Sequence, residues 1–223
     1  MSPAVYAGFL VFALVASITP GPNNLMVMAS GTYFGVRRTL PHLAGVSIGF
    51  GGMTLAVGLG LAGVFRVAPW LYVVLRWAAA AYLIYLAWRM VTAKGVGVAV
   101  TDINPLTFWH AVVFQWVNPK AWVMALGAVT TYADTRALLL DVALIAASFM
   151  LISAPCCLAW TVFGAGIKRL LKRPWALHAF NWTMAALLVA SLYPLFTEPL
   201  GPGSTGPKSA SPARPAASSS APG

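Results

Sequence analysis

Residues 19–26 read TPGPNNLM, directly after PAVYAGFLVFALVASI (3–18), a run without a single charge. The apolar pattern then resumes as LMVMA, through Ala29. A proline inside a helix deletes one backbone hydrogen bond and clashes with the preceding turn, and glycine adds chain freedom that a helix has to give up. Pro20, Gly21 and Pro22 together therefore predict a break. In hydrocarbon a freed carbonyl or amide is expensive, so such a break survives only where protein or a water-filled cavity satisfies it. Asn23 and Asn24 are placed to cap the second half-helix, whose N-terminus offers free N–H groups and partial positive charge to an anion such as a carboxylate. The competing reading is a helix that ends early in a polar loop; the resumed apolar run opposes it.

The composition fits a segment of this kind. The chain has 223 residues, 60% hydrophobic and only 8% charged, against roughly 45–50% apolar and 25% charged in soluble domains. Its mean hydropathy is +0.80. Apolar stretches with at most two charges and long enough for a ~30 Å hydrocarbon core number six, near 4–28, 42–65, 70–90, 108–131, 138–164 and 176–197. All exceed the roughly 10 residues of an alternating barrel strand. The expected fold is an all-α membrane protein with six transmembrane helices in a domain over 1–198, followed by a Pro/Ser/Ala-rich tail (199–223) too poor in apolar residues to fold.

The net charge of +10 is a topology signal. Arg37 and Arg38, Arg89 and Lys94, and Lys168, Arg169, Lys172 and Arg173 lie in three loops on one side, eight basic residues against Arg66 and Arg136 on the other. The positive-inside rule puts the first set in the cytoplasm and both termini outside. Charges scattered over short loops do not form the clustered face that nucleic acid requires. The first span lacks the basic n-region and cleavage site of a secretory signal. Cys156 and Cys157 are adjacent, closing a disulfide only with strain, and read as small core residues.

A second interruption lies in LTFWHAVVFQWVNPKAWVMALGAVTT (106–131), at Asn118, Pro119 and Lys120. A lysine at the centre of a span costs roughly 2.5–3.5 kcal/mol on insertion scales, so it is read as functional. Two other readings stand beside this one: Lys120 snorkels to an interface, or the helix starts only at Asn118. Each break falls in the first helix of a three-helix half (about 1–95 and 104–198), and three crossings per half invert the second half. This is the inverted-repeat plan of many secondary transporters, in which matching Gly/Pro interruptions mark the substrate site. The expected site is thus Pro20, Gly21, Pro22, Asn23, Asn24, Asn118, Pro119 and Lys120. Arg76, inside the third span, either snorkels or lines the path. Asp141, near the start of the fifth, is a proton relay or a surface and helix-dipole group. His42 and His110 read as interfacial.

No HExxH, CxxC or His/Asp pair at ligand spacing occurs, so neither an enzyme, a metal nor a cofactor is expected. The absence of a GxxxxGK[ST] loop points to an ion gradient, with protons as the coupling ion. The motifs do not distinguish export from uptake, and a channel or a homo-oligomer stays open.

PGPNN (20–24), SGTYFGVRRTL (30–40), LAGVSIGF (43–50), AAAAYLIYLAWRM (78–90) and FQWVNPKAW (114–122) resemble the LysE/Rht family of amino-acid exporters, over about residues 5–197. The pattern is most similar to the cysteine and O-acetylserine branch. The resemblance implies a bacterial inner-membrane carrier that exports small amino acids, with these motifs near the translocation path.

The charge asymmetry makes a direct prediction. Reporter fusions after Arg38, Lys94 and Lys172 report cytoplasm, and fusions after Arg66 and at the tail report the outside; a cytoplasmic C-terminus means a span has been miscounted.

Overall fold

The computed structural model describes residues 1–60, 68–92, 106–168, 171 and 173–193. Arg66, Lys94, Arg169, Lys172, the junction near 95–104, the ends of the second and sixth expected spans (61–65 and 194–197) and the tail from 199 lie outside these residues. All regular structure among them is helical: α1 (Pro3–Ile18), α2 (Pro22–Phe34), α3 (Val36–Gly58), α4 (Pro69–Val91), α5 (Phe108–Val117), α6 (Pro119–Tyr132), a 3-10 turn (Thr135–Ala137), α7 (Leu138–Ile167) and α8 (Pro174–Ala190). Pro3, Pro22, Pro69, Pro119 and Pro174 each open a helix. A first-turn N–H has no intrahelical acceptor, so proline loses nothing there and its fixed φ favours the start. Ser2, Thr107 and Asn118 complete three of the starts by accepting from the N–H of Val5, His110 and Lys120.

The break at residues 19–21 separates two true helices, α1 and α2, so the chain does not pass into a polar loop. At about 1.5 Å per residue neither the 16-residue α1 nor the 13-residue α2 crosses a ~30 Å core alone. Together, bent by 51°, they form one unit long and apolar enough to do so, beside α3 and α7, which each qualify singly. The helices also extend beyond several expected spans. The first unit runs on to Phe34, where Gly35 (φ 78°) turns the chain in a region that side chains other than glycine's disfavour. α3 begins at Val36 rather than 42, carrying Pro41 in its interior, and ends at Gly58. The fourth expected span is again two helices, α5 and α6, meeting at Asn118.

The long helix α7 packs along both pieces of the first broken unit, α1 and α2; α3 packs along both pieces of the second, α5 and α6. α3 and α7 pack on each other, and α4 on α8. At the α2–α7 crossing the backbones touch. A β-carbon on Gly31 would lie 2.2 Å from the Thr161 carbonyl oxygen, and one on Gly164 would lie 2.1 Å from that of Met28. Thr32 Oγ1 bridges the same crossing, donating to Met28 O (3.0 Å) and Gly164 O (2.9 Å). Phe149 on α7 holds Phe9 of α1 and Phe50 of α3 at 5.2 and 4.8 Å between ring centres. Outward faces carry Val11, Trp109, Leu140, Leu151 and Trp175 fully in the open, an apolar exterior of the extent that marks a lipid-facing surface.

Gly164→Ala forces this crossing apart. Overpacking of this kind costs about 1–3 kcal/mol, or a Tm loss of roughly 2–10 °C for a chain of this size. A thiol-reactive dye in detergent measures it, since the two cysteines, Cys156 and Cys157, are buried and free. An unchanged Tm contradicts the backbone contact.

Candidate functional site

The first break is accounted for carbonyl by carbonyl. Val15 O accepts from Thr19 N (3.1 Å) and Ala16 O from Thr19 Oγ1 (2.9 Å). Ser17 O accepts from Asn24 Nδ2 (2.8 Å), and Ile18 O from the indole N–H of Trp160 on α7 (3.0 Å). Thr19 O takes both Asn24 Nδ2 and Lys120 Nζ, each at 2.8 Å. Pro20 O lies 3.4 Å from Lys120 Nζ, and Gly21 O receives Leu25 N at 3.0 Å. No carbonyl from Val15 to Gly21 is left without a donor. Lys120 completes its three donor positions with Thr19 Oγ1, at 2.9 Å.

This corrects one sequence expectation. The N-cap of α2 is Gly21, without a side-chain bond. Asn24 instead reaches back to the end of α1, where its two N–H donors suit two orphan carbonyls. Asn23 turns to the other break: its Nδ2 donates to Gln115 Oε1 (2.8 Å) and its Oδ1 accepts from Gln115 Nε2 (3.2 Å). Gln115 Nε2 also donates to Ala111 O at 2.8 Å. At the second break Asn118 behaves as expected of a cap, its Oδ1 accepting from Lys120 N at 3.1 Å. Trp122 Nε1 closes Trp116 O at 2.8 Å.

The two breaks, 100 residues apart in sequence, therefore meet. Between them lies a cavity of about 40 Å³ lined by Gly21, Asn23, Asn24, Asn118 and Lys120, with Ala16, Ser17, Val46, Phe50, Ala121, Met124, Ser153 and Cys157; it has room for a few water molecules. Its lining includes one cation and no carboxylate. Pro20, Pro22 and Pro119 set the backbone around it without lining it. Gly21 is needed for the approach of the lysine, since a β-carbon there would come within 2.8 Å of Lys120 Cδ.

Arg76, half-buried on α4, and Asp141 do not line the cavity. Asp141 sits at the opposite end of α7 from the loop holding Lys168, taking the Met1 ammonium at 3.0 Å and Asp134 N–H at 2.9 Å. Cys157 is not merely core: its Sγ lies 3.8 Å from Asn24 Oδ1 and it faces the cavity. His110 is exposed and bonded to Thr107, as an interfacial residue would be, but His42 is fully buried. Gln115, Trp160 and Ser17 were not singled out from sequence. Gln115 is legible in retrospect as a lone amide in FWHAVVFQWV; an indole or a serine in an apolar run carries no such mark.

Two broken helices that meet at one cavity in an all-helical membrane protein are the arrangement of a translocator. Residues 14–191 match the family described as LysE type translocator, and the chain belongs to that family. It is a multi-pass helical protein of the bacterial inner membrane. It is 33% identical over 195 residues to a cysteine/O-acetylserine efflux protein of Klebsiella pneumoniae, covering 85% of this chain and 95% of that one. A protein of the same description from Escherichia coli K12 is 36% identical over 146 residues, covering 62% and 71%, as is one from Shigella sonnei. No solved structure matches significantly.

The contact between Gly21 and Lys120 is testable on its own. The backbone at Gly21 is extended (φ −175°), so Gly21→Ala adds no conformational strain and acts by pushing the lysine stem off Thr19. Losing a charged hydrogen bond there costs about 1.5–3 kcal/mol. In a double-mutant cycle the Tm loss in detergent vanishes in a Lys120→Ala background, which removes the stem; an equal loss in both backgrounds contradicts the contact.

Proposed function

We propose that this chain is a secondary transporter that exports small neutral amino acids or close derivatives, cysteine and O-acetylserine first among them, in exchange for protons. The observation that carries this reading is the convergence of both helix breaks on Lys120 beside the cavity; the efflux proteins it resembles point to the same substrates.

A zwitterion fits the chemistry of this place. Its carboxylate is the natural partner of the Lys120 ammonium and of the N–H groups at the start of α2. Each donor of Lys120 that leaves Thr19 O or Pro20 O for the substrate frees a carbonyl, and the substrate's own ammonium is a donor able to fill it. The exchange is close to balanced, which lets a ligand bind and leave. With no carboxylate in the lining, the site lacks the group that a lysine or arginine side chain would seek. Ser17, Ser153 and Cys157 suit a small side chain with a hydroxyl, thiol or ester.

The architecture supports six spans in two inverted halves. The broken unit α1/α2 with α3 and α4 corresponds to the broken unit α5/α6 with α7 and α8. One unbroken helix of each half, α3 or α7, packs on the other half's broken unit, the reciprocity expected of two repeats related by a twofold axis in the membrane plane. Rocking the α2–α7 block against the α3–α5 block would then open the cavity to alternate sides.

Inside-out vesicles with an acidic lumen test the reading with a panel of labelled amino acids. Labelled O-acetylserine or cysteine accumulates, a protonophore stops it, and ATP depletion does not. Lys120→Met, folded and inserted, loses a charge-assisted contact worth about 1.5–3 kcal/mol and transports roughly 10–100-fold more slowly. Wild-type rates in that variant overturn the role of Lys120, and accumulation of lysine or arginine alone overturns the substrate class.

A further inference from the structure

His42 is the buried group that the site as described does not use. Its side chain is fully buried, and neither ring nitrogen has a hydrogen-bond partner among the described residues. A buried donor or acceptor left unmade costs about 1–3 kcal/mol, and native structures hold few such groups without a functional reason. A leucine or phenylalanine would fill the same space at no such cost.

Its place gives the reason. His42, Val46 and Phe50 follow one another at four-residue spacing on α3, the spacing that stacks side chains on one helix face, and Val46 and Phe50 both line the cavity. The imidazole is thus one turn, about 6 Å along the axis, from the cavity wall, on the side of the Arg37–Arg38 end. Pro41, immediately before it inside α3, removes the helix bond to the Arg37 carbonyl and weakens the helix at that turn.

Other titratable groups on the helices packed against α3 are engaged or placed elsewhere. From α2, Tyr33 donates to Asn181 on α8. From α5, His110 is exposed and bonded to Thr107. From α6, Lys120 is held by Thr19 and Pro20, and Tyr132 packs on Phe9. From α7, Cys157 faces Asn24 and the cavity, Cys156 is buried as a free thiol, and Asp141 binds Met1. On α3 itself Arg38 lies over the Phe34 ring, and Arg37 begins the helix beside it. None of these hydrogen-bonds to the imidazole. Histidine is the side chain whose ordinary protonation range brackets neutrality.

We propose that His42 carries the coupling proton, taking it on a ring nitrogen when the cavity opens to one side and releasing it when the carrier opens to the other. This rests on the proton-antiport reading above. Protonation converts a neutral ring into a cation with two donors, and a second cation one turn from a cavity that already holds Lys120 opposes entry of the substrate's ammonium. The proton and the substrate therefore occupy the carrier in different half-cycles, which is antiport.

The test uses full-length protein in proteoliposomes with O-acetylserine. In wild type, counterflow and accumulation driven by an imposed pH gradient are both present. In His42→Gln, counterflow persists within about twofold while gradient-driven accumulation is lost and the rate no longer varies between pH 6 and 8. Gradient-driven accumulation in His42→Gln equal to wild type overturns the assignment and leaves the transport reading intact. Wild type that shows counterflow but no response to the gradient overturns the coupling and this inference with it, and absence of wild-type counterflow overturns the substrate. Should the variant not insert, wild-type protein with ¹⁵N-histidine decides: the chain has only three histidines, and His110→Gln and His178→Gln assign the two exposed ones. O-acetylserine shifts the pH dependence of the remaining signal; a His42 signal whose pH dependence O-acetylserine leaves unchanged overturns the proposal.

Discussion

The structure depends on one constraint: a helix broken inside an apolar environment exposes carbonyls that must find donors. At Thr19–Gly21 the chain loses the N–H groups of Pro20 and Pro22 and bends by 51°. The donors come from three directions: Asn24 from the helix that follows, Trp160 from α7 and Lys120 from α6. Two of these helices lie far along the chain, so the break is tolerable only in the finished bundle. The same contacts that permit the break thereby fix α6 and α7 against α1. Since each unsatisfied group in hydrocarbon costs several kcal/mol, the arrangement is both a folding requirement and a polar site.

The site is also where the two halves of the chain touch chemically. Lys120 belongs to the second broken unit and caps the first; Asn23 belongs to the first and pairs with Gln115 of the second. Elsewhere the packing is mostly apolar and close, as at Gly31, Gly45 and Gly164, with single polar contacts such as Thr32 to Gly164 O and Tyr33 to Asn181. Polar contacts at the breaks can be exchanged for contacts with a zwitterion at little net cost, whereas the glycine crossings have no alternative partner. On this account motion is concentrated at the breaks, and the crossings at the α2–α7 and α3–α5 interfaces move as solid blocks.

Much of this was legible in the residues. Proline and glycine report on their own backbone, so both interruptions could be placed within a residue or two, and Lys120 was conspicuous as a charge in an apolar run. The direction of Asn24 was not legible, because an asparagine near a helix start can serve its own N-terminus or the preceding C-terminus, and the choice depends on the bend. Trp160 and Ser17 lie in apolar stretches where the inward face of a helix cannot be told from the outward one: α7 has apolar residues all round. His42 was misplaced for a related reason. Its nearness to Arg37 and Arg38 suggested an interface, but α3 begins at Val36 and buries Thr39 and His42 on one face while Arg37, Arg38, Leu40 and Pro41 stay exposed.

The central claim is that Lys120 divides its time between the carbonyls of the first break and the carboxylate of the substrate. A structure of the protein with bound O-acetylserine tests this most directly. The account predicts the Lys120 Nζ within hydrogen-bonding distance of the substrate carboxylate, with the substrate ammonium on Thr19 O or Pro20 O in its place. Substrate bound elsewhere, with Lys120 still holding Thr19 and Pro20 as described above, would contradict it.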